Sequence, residues 1–344
     1  MPDGLILSRD ELLQSHDYAD PQVEAGYRLH GGFLSDGRYV SPRTLVRTPA
    51  VERWARAVVD KGGTLIDVSQ DILPTETWPN FAQSKLLLKA GLDRTFWTSL
   101  TTTGIVEARG AALCTVSPPD FQPLVLEDLS GTLTGHLAKG LLWAHGADEG
   151  GDPGNRTVGA HDVMWFAVRD MVFAKDLYPT PEVERVTRTE PERQMPQIPP
   201  EHENLIKFLM SVLVVEVRAE SFFAHCCMLL RDHGLFTDRR AEAAHAAEIV
   251  ERIRQDEAIH VRYLQVFVSE LRQFTFGGIK GATFIDPIWD RVRSFVQPER
   301  RRAMYAAIQA EAEQKLGPDK ARRVLAEFDS LESQSGDGKA RSAA

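Results

Sequence analysis

The sequence predicts an all-α protein, and three observations carry that reading. Apolar residues recur at three- and four-residue steps over long stretches, the period of one helix face. Runs alternating apolar and polar residues, which would mark strands, are almost absent. Proline and glycine clusters punctuate the periodic stretches at intervals that suit helices of 15 to 35 residues.

The elements follow in order. Residues 1–91 read as an N-terminal arm carrying short helices. In "TPAVERWARAVVDKGG", Thr48 is the expected cap, Pro49 sits in the first turn, and Gly62 and Gly63 stop the helix. A short helix is expected over residues 78–90. A helix over 92–115 is ended by "VSPPD", because proline cannot continue the hydrogen-bond ladder. A second is expected over 121–146, up to the break "HGADEGGDPGN", and a third over 157–177. The polar, proline-rich stretch "YPTPEVERVTRTEPERQMPQIPPEHEN" reads as a surface connector. Long helices then span about 201–232 and 238–274. Two more, near 285–296 and 298–330, form a C-terminal addition, and 331–344 reads as a disordered tail.

Composition narrows the function classes. The 344 residues are 43% hydrophobic and 26% charged, ordinary values for a globular chain, with a net charge of −9 that disfavours nucleic acid as a partner. No run of about 18 apolar residues is present, so no membrane span is expected. The three cysteines, Cys114, Cys226 and Cys227, make no disulfide framework and suit a reducing, cytoplasmic setting.

The chemistry lies in polar residues on apolar faces. On the 238–274 helix, steps of three and four from Ile253 reach Glu257, His260 and Leu264, which puts an acid and an imidazole on the buried side. Glu251, Arg252, Arg254 and Asp256 are assigned to other, solvated faces. The 201–232 helix repeats the pattern with Glu216 and Glu220 in its apolar stripe. Buried carboxylates without a partner cost several kcal/mol, so carboxylates and an imidazole converging at one level call for a cation. Carboxylate and imidazole donors together suit a divalent metal.

Glu257-Ala-Ile-His260 facing a glutamate on the preceding long helix resembles half of the ferritin-like di-iron carboxylate superfamily. There, a Glu from each of two helices joins a Glu-x-x-His pair from each of the other two. The resemblance covers roughly residues 92–274. It implies a ferritin-like four-helix bundle with an additional N-terminal arm and C-terminal helices, and a long crossover at 147–200 that contains the 157–177 helix. It assigns Glu107 and His136 to the first helix pair and Glu216, Glu220, Glu257 and His260 to the second. Position 133, where the pattern expects Glu, is leucine, and Glu220 is the candidate replacement. The implied cofactor is iron, two ions for a full centre, with manganese or a single metal as variants. The implied activity is an oxidoreductase using O₂ or peroxide on a small organic substrate, with an electron donor and a homodimer as partners. The alternatives are a non-catalytic helical binding or scaffold protein with a degenerate metal site, suggested by Leu133, and a mononuclear hydrolytic site.

Overall fold

The computed structural model describes residues 5–16, 20–69, 73, 78–183 and 193–342, with side chains to 332. The fold is mostly helical, with 64% of residues in helix. Its few strands are short.

The N-terminal arm starts with α1 (Arg9–Leu12), capped reciprocally by Ser8 and Glu11. The hairpin β1 (Gln22–Glu24) and β2 (Tyr27–Leu29) follows, then α2 (Thr44–Asp60) and α3 (Phe81–Lys89). Helix α2 begins four residues before Thr48, so Pro49 lies inside the helix rather than in its first turn. The central helices are α4 (Arg94–Gly110), α5 (Leu141–Gly150), α6 (His161–Val172), α7 (Pro200–Arg231) and α8 (Arg240–Gln273). A two-residue hairpin, β3 (Thr275–Phe276) with β4 (Ile279–Lys280), leads to α9 (Ala282–Arg293), α10 (Pro298–Leu316) and α11 (Pro318–Ser342). Helix α11 runs past residue 330, where the sequence reading ends it. The segment 17–19 and the crossover residues 184–192 lie outside the described residues.

Helices α7 and α8 pack along each other over most of their length. Helix α6 packs on α4 and α8, α2 packs on α8, and the α10–α11 hairpin covers α3 and α4. The largest departure from the sequence reading is at 121–146. Only its end is α-helical; the rest is irregular, with 3₁₀ turns at Gln122–Leu124 and Thr134–Lys139. Pro123 removes a ladder donor, and Gly140, at φ 114°, takes the left-handed conformation that ends the second turn.

The 161–172 helix, within the stretch read from the sequence as a crossover, packs into the core on α4 and α8. Together, α5 and α6 form one broken helix antiparallel to α4. Gly110 and Gly104 allow this close approach: a Cβ at Gly110 would lie 2.5 Å from the Glu149 Cβ, and one at Gly104 2.8 Å from the Phe166 ring. The break, residues 151–160, is held by the arm. The Gly159 amide donates to the Arg28 carbonyl, and the His30 amide donates to the Gly159 carbonyl.

The apolar core falls into three clusters, a small one around Leu87, Ile308 and Phe328 under the α10–α11 hairpin and two larger ones in the body. One of the larger two includes Leu213 and Val217 of α7 with Ile259, Tyr263 and Leu264 of α8. The other includes Phe223 and Cys227 of α7 with Val250 and Ile253 of α8, and Trp97 and Trp165. A buried polar layer lies between them, at the level of Glu216, Asp256 and Glu257. The three cysteines are free. No helix among the described residues is long and apolar enough to cross a membrane.

Leu133 is a fully buried core residue, and its amide donates to Glu270 Oε1 (2.9 Å). The Thr134 amide and hydroxyl donate to Glu270 Oε2 (2.8 and 2.7 Å). Burial nevertheless pushes the Glu270 carboxyl up to about 7, against these three donors. The folded chain therefore keeps this proton over a range in which the unfolded chain has lost it. Its contribution to stability falls as pH rises from the ordinary carboxylate range through 7. Glu270→Gln cannot ionise, so it should gain roughly 3 kcal/mol relative to the parent between pH 4 and 8. Denaturant unfolding at the two pH values measures the difference, and parallel pH profiles would refute it.

Candidate metal centre

The spacing of α8 turns Asp256, Glu257, His260 and Tyr263 toward its packed sides, and all four are at most 1% exposed. At this level α8 is enclosed by α6, α7 and the arm. That explains why Asp256 and Arg252, assigned from the sequence to solvated faces, are buried. Helix α5 contributes His145, Asp148 and Glu149 by the same i, i+3, i+4 logic. His161 opens α6. Glu107 comes from the last turn of α4 and Glu216 from the middle of α7.

These side chains form two groups of four that share Glu149. The first is Glu107, Glu149, His161 and Glu257; the second is His145, Glu149, Glu216 and His260. Within each group the ligand atoms lie within 4.8 Å of one another. Glu149 Oε1 is 3.5 Å from His161 Nδ1, 3.6 Å from His145 Nε2 and 3.1 Å from His260 Nδ1. Glu257 Oε1 is 3.2 Å from His161 Nδ1 and its Oε2 is 3.3 Å from His260 Nδ1. Glu216 Oε1 is 3.2 Å from His145 Nε2, and Glu107 Oε2 is 3.6 Å from His161 Nδ1.

The other nitrogen of each imidazole is held from outside. His161 Nε2 pairs with Asp256 (3.0 Å), His260 Nε2 with Asp148 (3.2 Å), and His145 Nδ1 with the Tyr263 hydroxyl (2.8 Å). The arrangement is reciprocal. The aspartate preceding Glu149 orients the histidine of α8, and the aspartate preceding Glu257 orients the histidine of α6. Asp148 also accepts from Arg43 and Arg47. Such outer partners fix the ring orientation and the tautomer of a metal-binding histidine.

Five of the inward atoms have no hydrogen-bond partner although they are buried: Glu107 Oε2, His145 Nε2, Glu149 Oε1, His161 Nδ1 and Glu257 Oε1. Each such orphan costs about 1–3 kcal/mol. All five point at the same two foci, and a divalent cation at each focus would satisfy them.

Electrostatics gives the same picture. Burial, reinforced by Glu107 beside Glu149 and by Glu149 beside Glu257, holds both carboxyls well above the ordinary range. Burial pulls His145 down, but Tyr263 and Glu216 overcome it and raise the imidazole to about 9. For His161, Asp256 and the three glutamates overcome burial in the same way. His260, buried and stacked on His145 at 3.8 Å, is held at about 4. These shifts all favour the protonated forms of Glu149, Glu257, His145 and His161, and a cation bound in the layer would compete with those protons.

Glu107, Glu149 and Glu216 keep 5–6% exposure, whereas His145, His161, Glu257 and His260 have 0–1%. What little exposure the layer has lies on the side of α4, the end of α5 and α7.

Of the six residues assigned from the sequence, Glu107, Glu216, Glu257 and His260 meet in these groups. His136 and Glu220 do not. His136 has no free nitrogen: the Leu7 amide donates to Nε2 (2.9 Å), and Nδ1 donates to the Thr132 carbonyl (2.6 Å). Its ring packs 4.7 Å from that of Trp54. Glu220 is a third exposed and paired with Arg254. His136→Ala should thus destabilise the chain by about 2–4 kcal/mol, through a cavity and an orphaned amide, while leaving metal content unchanged. Thermal unfolding and elemental analysis of one preparation check both halves. Loss of metal would show that the ring is a ligand after all.

Sequence reasoning missed Glu149, His145 and His161. One signal was present. "DE" at 148–149 echoes "DE" at 256–257, each with a carboxylate at the same point of a buried stripe. No protein-family model, curated protein or solved structure matches the chain. The buried His, Glu and Asp clusters could hold metal ions; they do not specify which.

Proposed function

We propose that this chain is a ferritin-like, dinuclear non-haem oxidoreductase, with iron or an iron/manganese pair, acting on a small organic substrate with O₂ or peroxide. One observation carries the reading: two four-residue donor groups share Glu149 and aim unpartnered buried atoms at two foci. The donor set follows the ferritin-like pattern. Glu107 and Glu216 are the single glutamates, Glu257 with His260 is one Glu-x-x-His pair, and Glu149 with His161 is the other. In that second pair, the break between α5 and α6 separates the two residues along the chain and packing reunites them. Leu133, the basis of the degenerate-site alternative, lies in the core beside Glu270 and takes no part in the cluster. That alternative therefore loses its supporting observation.

Two such metals, when bound, supply or accept electrons one at a time and so permit chemistry with O₂. The chain does the rest. Its four glutamates balance the cations, and Asp148, Asp256 and Tyr263 hold the imidazoles in register. The apolar clusters above and below exclude water from all but the Glu107–Glu149–Glu216 side. A small substrate and an electron donor would approach from that side.

The test is anaerobic loading of the purified full chain with ferrous iron, followed by elemental analysis, proton release and O₂ uptake. About two metals per chain are expected, with proton release on binding and metal-dependent O₂ consumption. No bound iron or manganese after loading would overturn the reading. One zinc per chain with no O₂ uptake would replace it with a mononuclear hydrolytic site.

A further inference from the structure

The two positions differ in their donors. The Glu107–Glu149–His161–Glu257 position offers three carboxylates and one imidazole. The His145–Glu149–Glu216–His260 position offers two carboxylates and two imidazoles. The difference is due to His145, which lies four residues before Glu149 on α5, outside both Glu–His pairs. Without it the two positions would have the same kinds of donor, one imidazole each.

His145 is built in as firmly as the other two histidines. It is 0% exposed, its Nδ1 is held by the Tyr263 hydroxyl, and its ring is stacked on that of His260. Its Nε2 has no hydrogen-bond partner and faces Glu216 Oε1 and Glu149 Oε1 at 3.2 and 3.6 Å. A cation at that focus would engage this atom together with both carboxylates. Imidazole donors favour the later divalent ions of the first transition row, and carboxylates suit manganese and other hard ions.

We propose that His145 makes the centre unequal, so that the His145–Glu149–Glu216–His260 position binds a later divalent ion first and tightly, and the Glu107–Glu149–His161–Glu257 position accepts manganese. The inference rests on the dinuclear reading above and deepens it: the resident pair is a mixed one when both metals are offered.

The experiment titrates cobalt(II) anaerobically into metal-free full-length protein and follows its visible spectrum, which reports the donors around the ion. Two phases are expected, the first equivalent binding roughly tenfold or more tighter than the second. His145→Gln should bring the two phases together, within about threefold, with its fold checked by far-ultraviolet circular dichroism. In a second measurement, wild-type protein offered equal ferrous iron and manganese should retain about one of each, as elemental analysis will show. Two equal equivalents of cobalt in the wild type, or two irons and no manganese in the competition, would overturn the inference and leave the dinuclear reading standing. Cobalt that fails to bind at all would overturn both. The wild-type measurements decide the matter even if His145→Gln does not fold.

Discussion

Glu149→Gln is expected to empty both metal positions, because Glu149 is the one residue common to the two donor groups. The amide keeps the volume but offers a weaker oxygen and no charge. Affinity should fall by roughly 100-fold or more at each position, a loss at least as large as that for an outer-shell partner. Elemental analysis after loading should find less than one ion per chain, against about two for the parent. The metal-free variant should be no less stable than the metal-free parent. Burial and the neighbouring Glu107 push the Glu149 carboxyl well above the ordinary range and so favour its uncharged form, which the amide mimics. Glu220→Gln is the matched control. It breaks a partly exposed pair with Arg254 and should keep both metals. A Glu149→Gln protein that still holds two ions would refute the shared-ligand geometry.

Asp148→Asn should do the opposite to the metal-free chain. Asp148 is 2% exposed and accepts from Arg43, Arg47 and His260. The two guanidiniums and His260 hold its carboxyl well below the ordinary range despite burial. Arg47 is buried as deeply, and its Nε and Nη1 have no hydrogen-bond partner, so Asp148 is the carboxylate that compensates its charge. Removing one partner of a buried ion pair typically costs about 3–5 kcal/mol. The variant should melt well below the parent in the absence of metal. It should also bind metal about 10–100-fold more weakly, because His260 loses the carboxylate that orients it. Arg47→Met in the same background should recover part of the stability and none of the affinity. Unchanged melting of Asp148→Asn would show that water, not Asp148, compensates the arginines.

Particular residues show how far the sequence could be read. Glu257 and His260 were legible because they sit in a long, unbroken helix whose apolar stripe fixes the phase of every position. Glu216 was legible for the same reason. The first helix pair was harder. Three-residue periodicity placed His136 on an apolar stripe, but Pro123 and the glycines at 131, 135 and 140 break that stretch into turns. Period alone then assigns no face. His161 was out of reach because its relation to Glu149 is not helical. Eleven residues intervene, held in place by hydrogen bonds from Arg28 and His30 of the distant arm. The same periodicity misjudged Asp256. It reports which side of a helix is least polar, not whether the opposite side is also covered.

The sequence by itself determined the helical class, the long α7–α8 pair and the burial of Glu216, Glu257 and His260. These follow from local period and from the cost of interrupting it, which any stretch of chain carries within itself. Only the tertiary structure decided which polar residues converge. Glu149, His145 and His161 join the layer because glycines at 104 and 110 let a broken helix lie close against α4, and because the arm fixes the break. Convergence of side chains from five helices depends on distances between segments, and no local pattern encodes those distances.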